Sequence, residues 1–107
     1  MPDITLHAPD GTVHGFEAPD GVSLMAAATG FGVPGMVGEC GGALQCATCH
    51  VQIDPAWAGR LPPPSADELA MLALTAVPAG PHSRLACQIR LTPALQGLVA
   101  TIAERQY

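Results

Sequence analysis

Three of the four cysteines of this 107-residue chain lie in a single segment, Val37-Gly38-Glu39-Cys40-Gly41-Gly42-Ala43-Leu44-Gln45-Cys46-Ala47-Thr48-Cys49-His50. Five residues separate Cys40 from Cys46, two separate Cys46 from Cys49, and Cys87 follows after a gap of thirty-seven. Two adjacent glycines follow the first cysteine, and a glycine lets backbone N–H groups approach a ligand because no Cβ is in the way. The segment is therefore predicted to be a loop of small residues with room for an inorganic core.

The spacing of the cysteines favours an iron–sulfur site over other uses of thiols. It is one residue longer in its first step than the plant-type pattern C-x4-C-x2-C…C, and four thiolates suit a [2Fe–2S] cluster. Structural zinc sites usually present two C-x2-C or Cys/His pairs, whereas this chain has one C-x2-C pair. A dithiol redox pair or a Rieske centre would leave part of the pattern unexplained. The predicted iron ligands are Cys40, Cys46, Cys49 and Cys87.

The residues around the cysteines indicate which class of iron–sulfur protein the chain resembles. The loop reads VGECGG at 37–42 and CATCHV at 46–51, while DGVSLM at 20–25 and SRLACQI at 83–89 lie outside it. In order and position these segments resemble the adrenodoxin/putidaredoxin family of [2Fe–2S] ferredoxins over nearly the whole chain. The Cys-Gly-Gly loop, an Arg-Gln-aromatic ending at 105–107 and the expected lack of a leader are closest to bacterial members that serve cytochrome P-450 hydroxylases.

The resemblance implies an α+β, β-grasp fold with the cluster loop near one end. It implies that Cys40 and Cys46 bind one iron and that Cys49 and Cys87 bind the other. Electrons would come from an FAD-containing, NAD(P)H-dependent reductase and pass to a cytochrome P-450 monooxygenase. Two alternatives stay open: a ferredoxin for iron–sulfur cluster assembly, which shares the cysteine pattern, and a zinc-stabilised interaction module.

Length and charge limit the remaining possibilities. The chain suits one domain over residues 1–107, and the sequence shows no signal peptide or apolar membrane span, so a cytoplasmic location is expected. Nine acidic residues against four arginines and no lysine give a formal charge of −5, which disfavours nucleic-acid binding. No paired acid and base or nucleophile with a base is visible. We expect a monomeric electron carrier that forms transient complexes with basic partner surfaces, not an enzyme.

Acidic residues of the second predicted helix supply a docking hypothesis. Asp67 and Glu68, helped by Glu39 beside the first cysteine, are predicted to form a surface for reversible docking. Both helix acids also have a structural interpretation, because Ser65 and Glu68 fit a capping box and Asp67 suits the helix dipole. The terminal aromatic residue, Tyr107, is a further candidate for contact with the acceptor.

Hydrophobic patterning predicts the N-terminal elements. Residues 3–7 and 12–18 alternate around the turn sequence Ala8-Pro9-Asp10-Gly11, which predicts a β-hairpin. Ser23 is predicted to cap a short helix that Gly30 can end. The apolar face of this helix is predicted to comprise Leu24, Ala27, Ala28 and Phe31.

The C-terminal elements are predicted in the same way. Residues 51–53 should form a strand and 54–57 a helical turn, before a proline run. His50, beside a predicted ligand, should hydrogen-bond backbone and hold the loop to the core. Residues 83–91 alternate as a strand with Cys87 on the core side, and 98–102 should form the last strand. The apolar side of the second helix is predicted to be Leu69, Met71 and Leu72.

Overall fold

A computed structural model describes residues 2–36, 49–75, 77–104 and 106, and every structural statement below refers to these residues. Their strands form one mixed five-stranded sheet in the order β2-β1-β5-β3-β4. The strands are β1 (Asp3–His7), β2 (Val13–Glu17), β3 (His50–Ile53), β4 (Ser83–Leu85) and β5 (Leu98–Ile102). The helices are α1 (Leu24–Gly30), α2 (Pro55–Ala58) and α3 (Ala66–Leu72), with 3-10 turns at Ala86–Gln88 and Pro93–Leu95.

The first and last strands lie side by side at the centre of the sheet. β1 and β5 pair in parallel, while β1 with β2, β3 with β5 and β3 with β4 are antiparallel. The inward-facing side chains of β1, β3, β4 and β5 are buried, whereas those of β2 are only half-buried, so these four strands carry the core on which the helices pack. This mixed sheet with short helices is the predicted α+β, β-grasp arrangement. The fully buried apolar side chains of the strands include Ile4, Leu6, Val51, Leu85 and Leu98.

The predicted hairpin is confirmed. His7 pairs with Val13, and the Ala8 N–H donates to the Thr12 carbonyl at 2.8 Å, which closes the turn. Gly11 has a φ of 89°, a left-handed conformation that favours glycine. Asp10 stabilises the turn from its side chain, because Oδ1 accepts a hydrogen bond from the Thr12 N–H at 3.0 Å. The local sequence was sufficient to place both strands.

The first helix begins where the capping residue predicts. The Ser23 Oγ accepts the Ala26 N–H at 3.0 Å, and the helix buries its apolar side in the core. The prediction for Phe31 is wrong, because this ring lies just beyond the helix and is 57% exposed. It stacks instead on Phe16, with 4.8 Å between the ring centroids. Phe31 is thus the C-cap of the helix and packs on the hairpin instead of in the core.

The second predicted helix is confirmed in position but not in its buried face. Ser65 caps α3 by accepting the Glu68 N–H at 3.1 Å. Leu72 is buried as expected, but Leu69 is 56% exposed, so its assignment to the core is wrong. Glu68, one turn before Leu72, is buried instead of Leu69, because it is paired with Arg84, which the helix pattern does not reveal.

Residues 83–91 do not form one continuous strand, which corrects the prediction. The strand ends at Leu85 and a 3-10 turn follows. Beyond the turn the chain leaves β3 and pairs with the start of α1, where the Leu24 N–H donates to the Ile89 carbonyl at 2.8 Å. Ile89 and Leu91 are buried as predicted, and Cys87 is half-buried and packs against the core.

Candidate cluster site

The antiparallel pairing of β3 with β4 brings two cysteines together that are far apart in sequence. Cys49 lies directly before β3, and Cys87 lies in the 3-10 turn directly after β4. His50 is paired with Leu85, and the Ala86 N–H donates to the Cys49 carbonyl at 2.9 Å. The residue before Cys87 is thus tied to the main chain of Cys49, and both cysteines lie at the same end of the sheet.

Cys40, Cys46 and Glu39 lie outside the described residues, but the chain that leads to them is firmly held. Met36 is buried, and Gly35 has a φ of 91°. A Cβ at Gly35 would lie 2.6 Å from the Pro9 ring, so only glycine fits this approach to the first turn. The entry to residues 37–48 is therefore anchored on the hairpin, and their exit at Cys49 is anchored on β3.

The two described cysteines differ in their surroundings. Cys49 is 2% exposed and belongs to the buried core. Cys87 is half-buried and lines a surface opening together with Ser23 and Arg90. The carboxamide of Gln88 donates from Nε2 to the Cys87 Sγ at 3.4 Å. One of the two sulfur atoms is thus close to the surface and already receives a side-chain hydrogen bond.

His50 is fixed at the start of β3, but its ring is bonded to a serine side chain and not to the backbone group that the sequence predicts. Its ring is buried, with Nε2 at 2.7 Å from the Ser83 Oγ. Its main chain is clamped by Gln106, whose Oε1 accepts the His50 N–H at 2.9 Å and whose Nε2 donates to the His50 carbonyl at 3.0 Å. Burial lowers the pKa of His50, which favours the neutral ring. The clamp fixes the backbone next to Cys49.

Glu68 cannot serve as a docking residue, so that prediction is wrong. The side chain is 1% exposed, and Oε2 accepts the Arg84 Nε–H at 2.7 Å while Oε1 accepts the Nη2–H at 3.0 Å. Oε2 also accepts the Leu85 N–H at 3.0 Å. Arg84 and Gln106 are structural residues that the sequence pattern missed, because their partners are 16 and 56 residues away.

Asp67 is exposed at the start of α3, as a docking residue must be. Tyr107, like Glu39, lies outside the described residues.

Within the ranges that the structure describes, none of the helices is long and apolar enough to cross a bilayer.

Comparison with known proteins identifies the family. The family described as "2Fe-2S iron-sulfur cluster binding domain" matches residues 7–92. Rhodocoxin of Rhodococcus erythropolis is 43% identical over 99% of both chains, and putidaredoxin of Pseudomonas putida is 40% identical over 100% of both. A ferredoxin crystal structure from Rhodopseudomonas palustris HaA2 superposes with a TM-score of 0.94 at 47% identity, covering 99% of this chain and 100% of the other.

The chain belongs to the [2Fe–2S] ferredoxin family, and its relatives are of the adrenodoxin/putidaredoxin type. Its cofactor is one [2Fe–2S] cluster, and it is an electron carrier and not an enzyme. The described residues fit this cofactor, because the chain brings Cys49 and Cys87 to one end of the sheet and thiolate is the ligand that such clusters use. When bound, the cluster supplies one-electron chemistry, and the protein positions and tunes it.

Proposed function

We propose that this protein carries single electrons from an FAD-containing, NAD(P)H-dependent ferredoxin reductase to a cytochrome P-450 monooxygenase. The observation that carries the proposal is the pairing of β3 with β4, which brings Cys49 beside the turn of Cys87 in a chain with the family's cysteine pattern. A relative 40% identical to this chain, putidaredoxin, has been crystallised in covalent complex with putidaredoxin reductase. That complex supports a reductase as the electron donor here.

We propose that Cys49 and Cys87 are joined as iron ligands by the two cysteines of the loop. Cys40 and Cys46 bind one iron, and Cys49 and Cys87 bind the other. The remote ligand is the most informative to test, so Cys87→Ser should lower the iron and sulfide content as much as a change in the loop does. A variant that keeps a stable cluster with the wild-type spectrum would overturn the four-cysteine assignment.

The residues around the site suit an electron carrier because they hold it rigidly. Strands β3 and β4, which adjoin Cys49 and Cys87, are fixed by side-chain hydrogen bonds. These bonds come from the Gln106 clamp, the buried His50 ring and the Glu68–Arg84 pair. A rigid, largely buried surrounding limits the rearrangement that accompanies each change of charge. The single sheet, which joins the first strand to the last, supports one domain over residues 1–107, and the cell compartment we propose is the cytoplasm.

Docking is proposed to use Asp67 together with Glu39, while Tyr107 contacts the acceptor. Asp67 is exposed, and exposed charges speed encounter without adding a large permanent interface. Charge reversal by Asp67→Lys should slow reduction by the reductase or electron delivery at low salt, and less so at about 0.15 M salt, where the Debye length is about 8 Å. Rates equal to those of the wild type at both low and high salt would exclude Asp67 from the docking surface.

Reconstituted turnover tests the function itself. Purified holoprotein is combined with NAD(P)H, a ferredoxin reductase and candidate cytochrome P-450 hydroxylases from the same cell. Substrate hydroxylation should require the holoprotein and be lost with Cys87→Ser. If the holoprotein is reduced by the reductase, yet supports cluster assembly on a scaffold protein and none of the hydroxylases, the acceptor proposed here is wrong.

A further inference from the structure

The side chain of Gln88 contacts the sulfur of the neighbouring proposed ligand, Cys87. Its Nε2 lies 3.4 Å from the neighbouring Sγ, which is within hydrogen-bond distance for a sulfur acceptor. The geometry follows from the 3-10 turn Ala86–Gln88, because a continuous strand would place the two side chains on opposite faces of the sheet. The departure from the predicted strand is therefore what allows this contact.

The chemistry of the acceptor decides the orientation of the amide. A ligating cysteine is a thiolate, which has no proton to donate and can only accept. The amide therefore presents its NH₂ group to the sulfur, and its carbonyl oxygen points away from the negative charge. A hydrogen bond onto an ionised acceptor is stronger than one between neutral groups, and it strengthens as negative charge accumulates on the acceptor.

We propose that Gln88 is a tuning residue that raises the reduction potential of the cluster through this side-chain hydrogen bond to Cys87. The proposal rests on the ligand role proposed for Cys87. Hydrogen bonds to the sulfurs are among the features that set the potential of iron–sulfur clusters. Reduction adds one negative charge, so the amide stabilises the reduced state more than the oxidised state.

The position of Gln88 limits the size of the effect. The residue is half-buried and lines two neighbouring surface clefts, one of which also contains Cys87 and Arg90. Water reaches this amide and competes for it, so its contribution is smaller than that of a fully buried donor. Arg90 donates from Nη1 to the Gly21 carbonyl at 2.8 Å, which holds its positive charge beside the same opening.

The test is an equilibrium redox titration of the holoproteins, followed by their visible absorption. Gln88→Met removes the hydrogen-bond donor and keeps a side chain of similar size. At a fixed ambient potential, the ratio of reduced to oxidised cluster in this variant should be about three- to tenfold lower than in the wild type. A tenfold change corresponds to about 59 mV for a one-electron couple. Gln88→Glu adds a negative charge, so its ratio of reduced to oxidised cluster should be lower still. Gln52→Met is the matched control, because Gln52 is exposed on β3 and should leave the ratio unchanged.

A Gln88→Met protein with full iron and sulfide content and a ratio within twofold of wild type would overturn the inference. A second measurement uses the wild type alone: pulsed EPR of reduced protein with ¹⁵N in the glutamine side chains should show coupling to an amide nitrogen, and its absence would also overturn the inference. Both results are independent of the proposed partners. Failure of the ligand assignment would appear separately, as a wild-type cluster in Cys87→Ser.

Discussion

Removing Arg84 should destabilise the fold strongly, because it leaves a buried carboxylate without its cation. Glu68 is 1% exposed, and two of the three hydrogen bonds that its carboxylate accepts come from the Arg84 guanidinium, at 2.7 and 3.0 Å. The third comes from the Leu85 N–H at 3.0 Å and remains in Arg84→Met. The variant also loses the 2.8 Å hydrogen bond from Nη1 to the Pro62 carbonyl.

Breaking a buried ion pair by removing one partner costs about 3–5 kcal/mol. We expect the lower end, about 3 kcal/mol, because the Leu85 N–H still serves the carboxylate and Arg84 keeps some contact with water. With a urea m-value of about 1–3 kcal/mol/M, the midpoint should fall by at least about 1 M. Urea unfolding is followed both by far-UV circular dichroism and by cluster absorption, since coincident curves are needed to assign one free energy of unfolding.

Two further variants test whether the Glu68–Arg84 pair is structural. Arg60→Met removes a guanidinium that lies 4.2 Å from the centroid of the Trp57 ring, and it should cost about 1 kcal/mol or less. Adding Glu68→Gln to Arg84→Met removes the buried charge, so the double variant should be more stable than Arg84→Met alone. A loss below about 1 kcal/mol in Arg84→Met, or a double variant less stable than the single, would refute a structural ion pair.

The Gln106 clamp, the glycine at position 35 and the Asp10 turn can each be tested by a single substitution. Gln106→Leu removes both hydrogen bonds to the His50 backbone and should lower the free energy of unfolding by about 1–3 kcal/mol and speed cluster loss; an unchanged rate would contradict the clamp. Gly35→Ala should destabilise by more than about 1 kcal/mol while Gly30→Ala, at an open helical position, should be neutral or stabilising in the same urea assay. Hydrogen bonds from Thr12 lower the pKa of Asp10 in the folded protein. The stability that Asp10 contributes is therefore present above its unfolded pKa and is lost as the pH falls through its folded pKa. NMR titration should show the lowered pKa, and Asp10→Asn should abolish this part of the pH dependence of stability.

The sequence was a good guide wherever a few neighbouring residues decide the structure. The turn around Asp10 and the cap Ser23 are local arrangements, and the structure confirms them. The errors occur where a partner distant in sequence decides. Alternation continues past Leu85, but the chain turns there because the Ala86 N–H is bonded to the Cys49 carbonyl and the residues beyond pair with the start of α1. No window of local sequence contains those partners.

The same distinction applies to the site. Cysteine spacing predicted the cofactor, because four thiols in that pattern have few other uses, but spacing could not show which side chains hold the ligands in place. Glu68 illustrates the difference: its position in α3 suggested a surface or capping acid, whereas Arg84, 16 residues later, draws it into the interior. The Glu68–Arg84 pair fixes β4 to α3 immediately before the turn that carries Cys87. An acid predicted to recognise a partner thus stabilises the fold beside Cys87, and among the described residues of the proposed docking surface only Asp67 remains exposed.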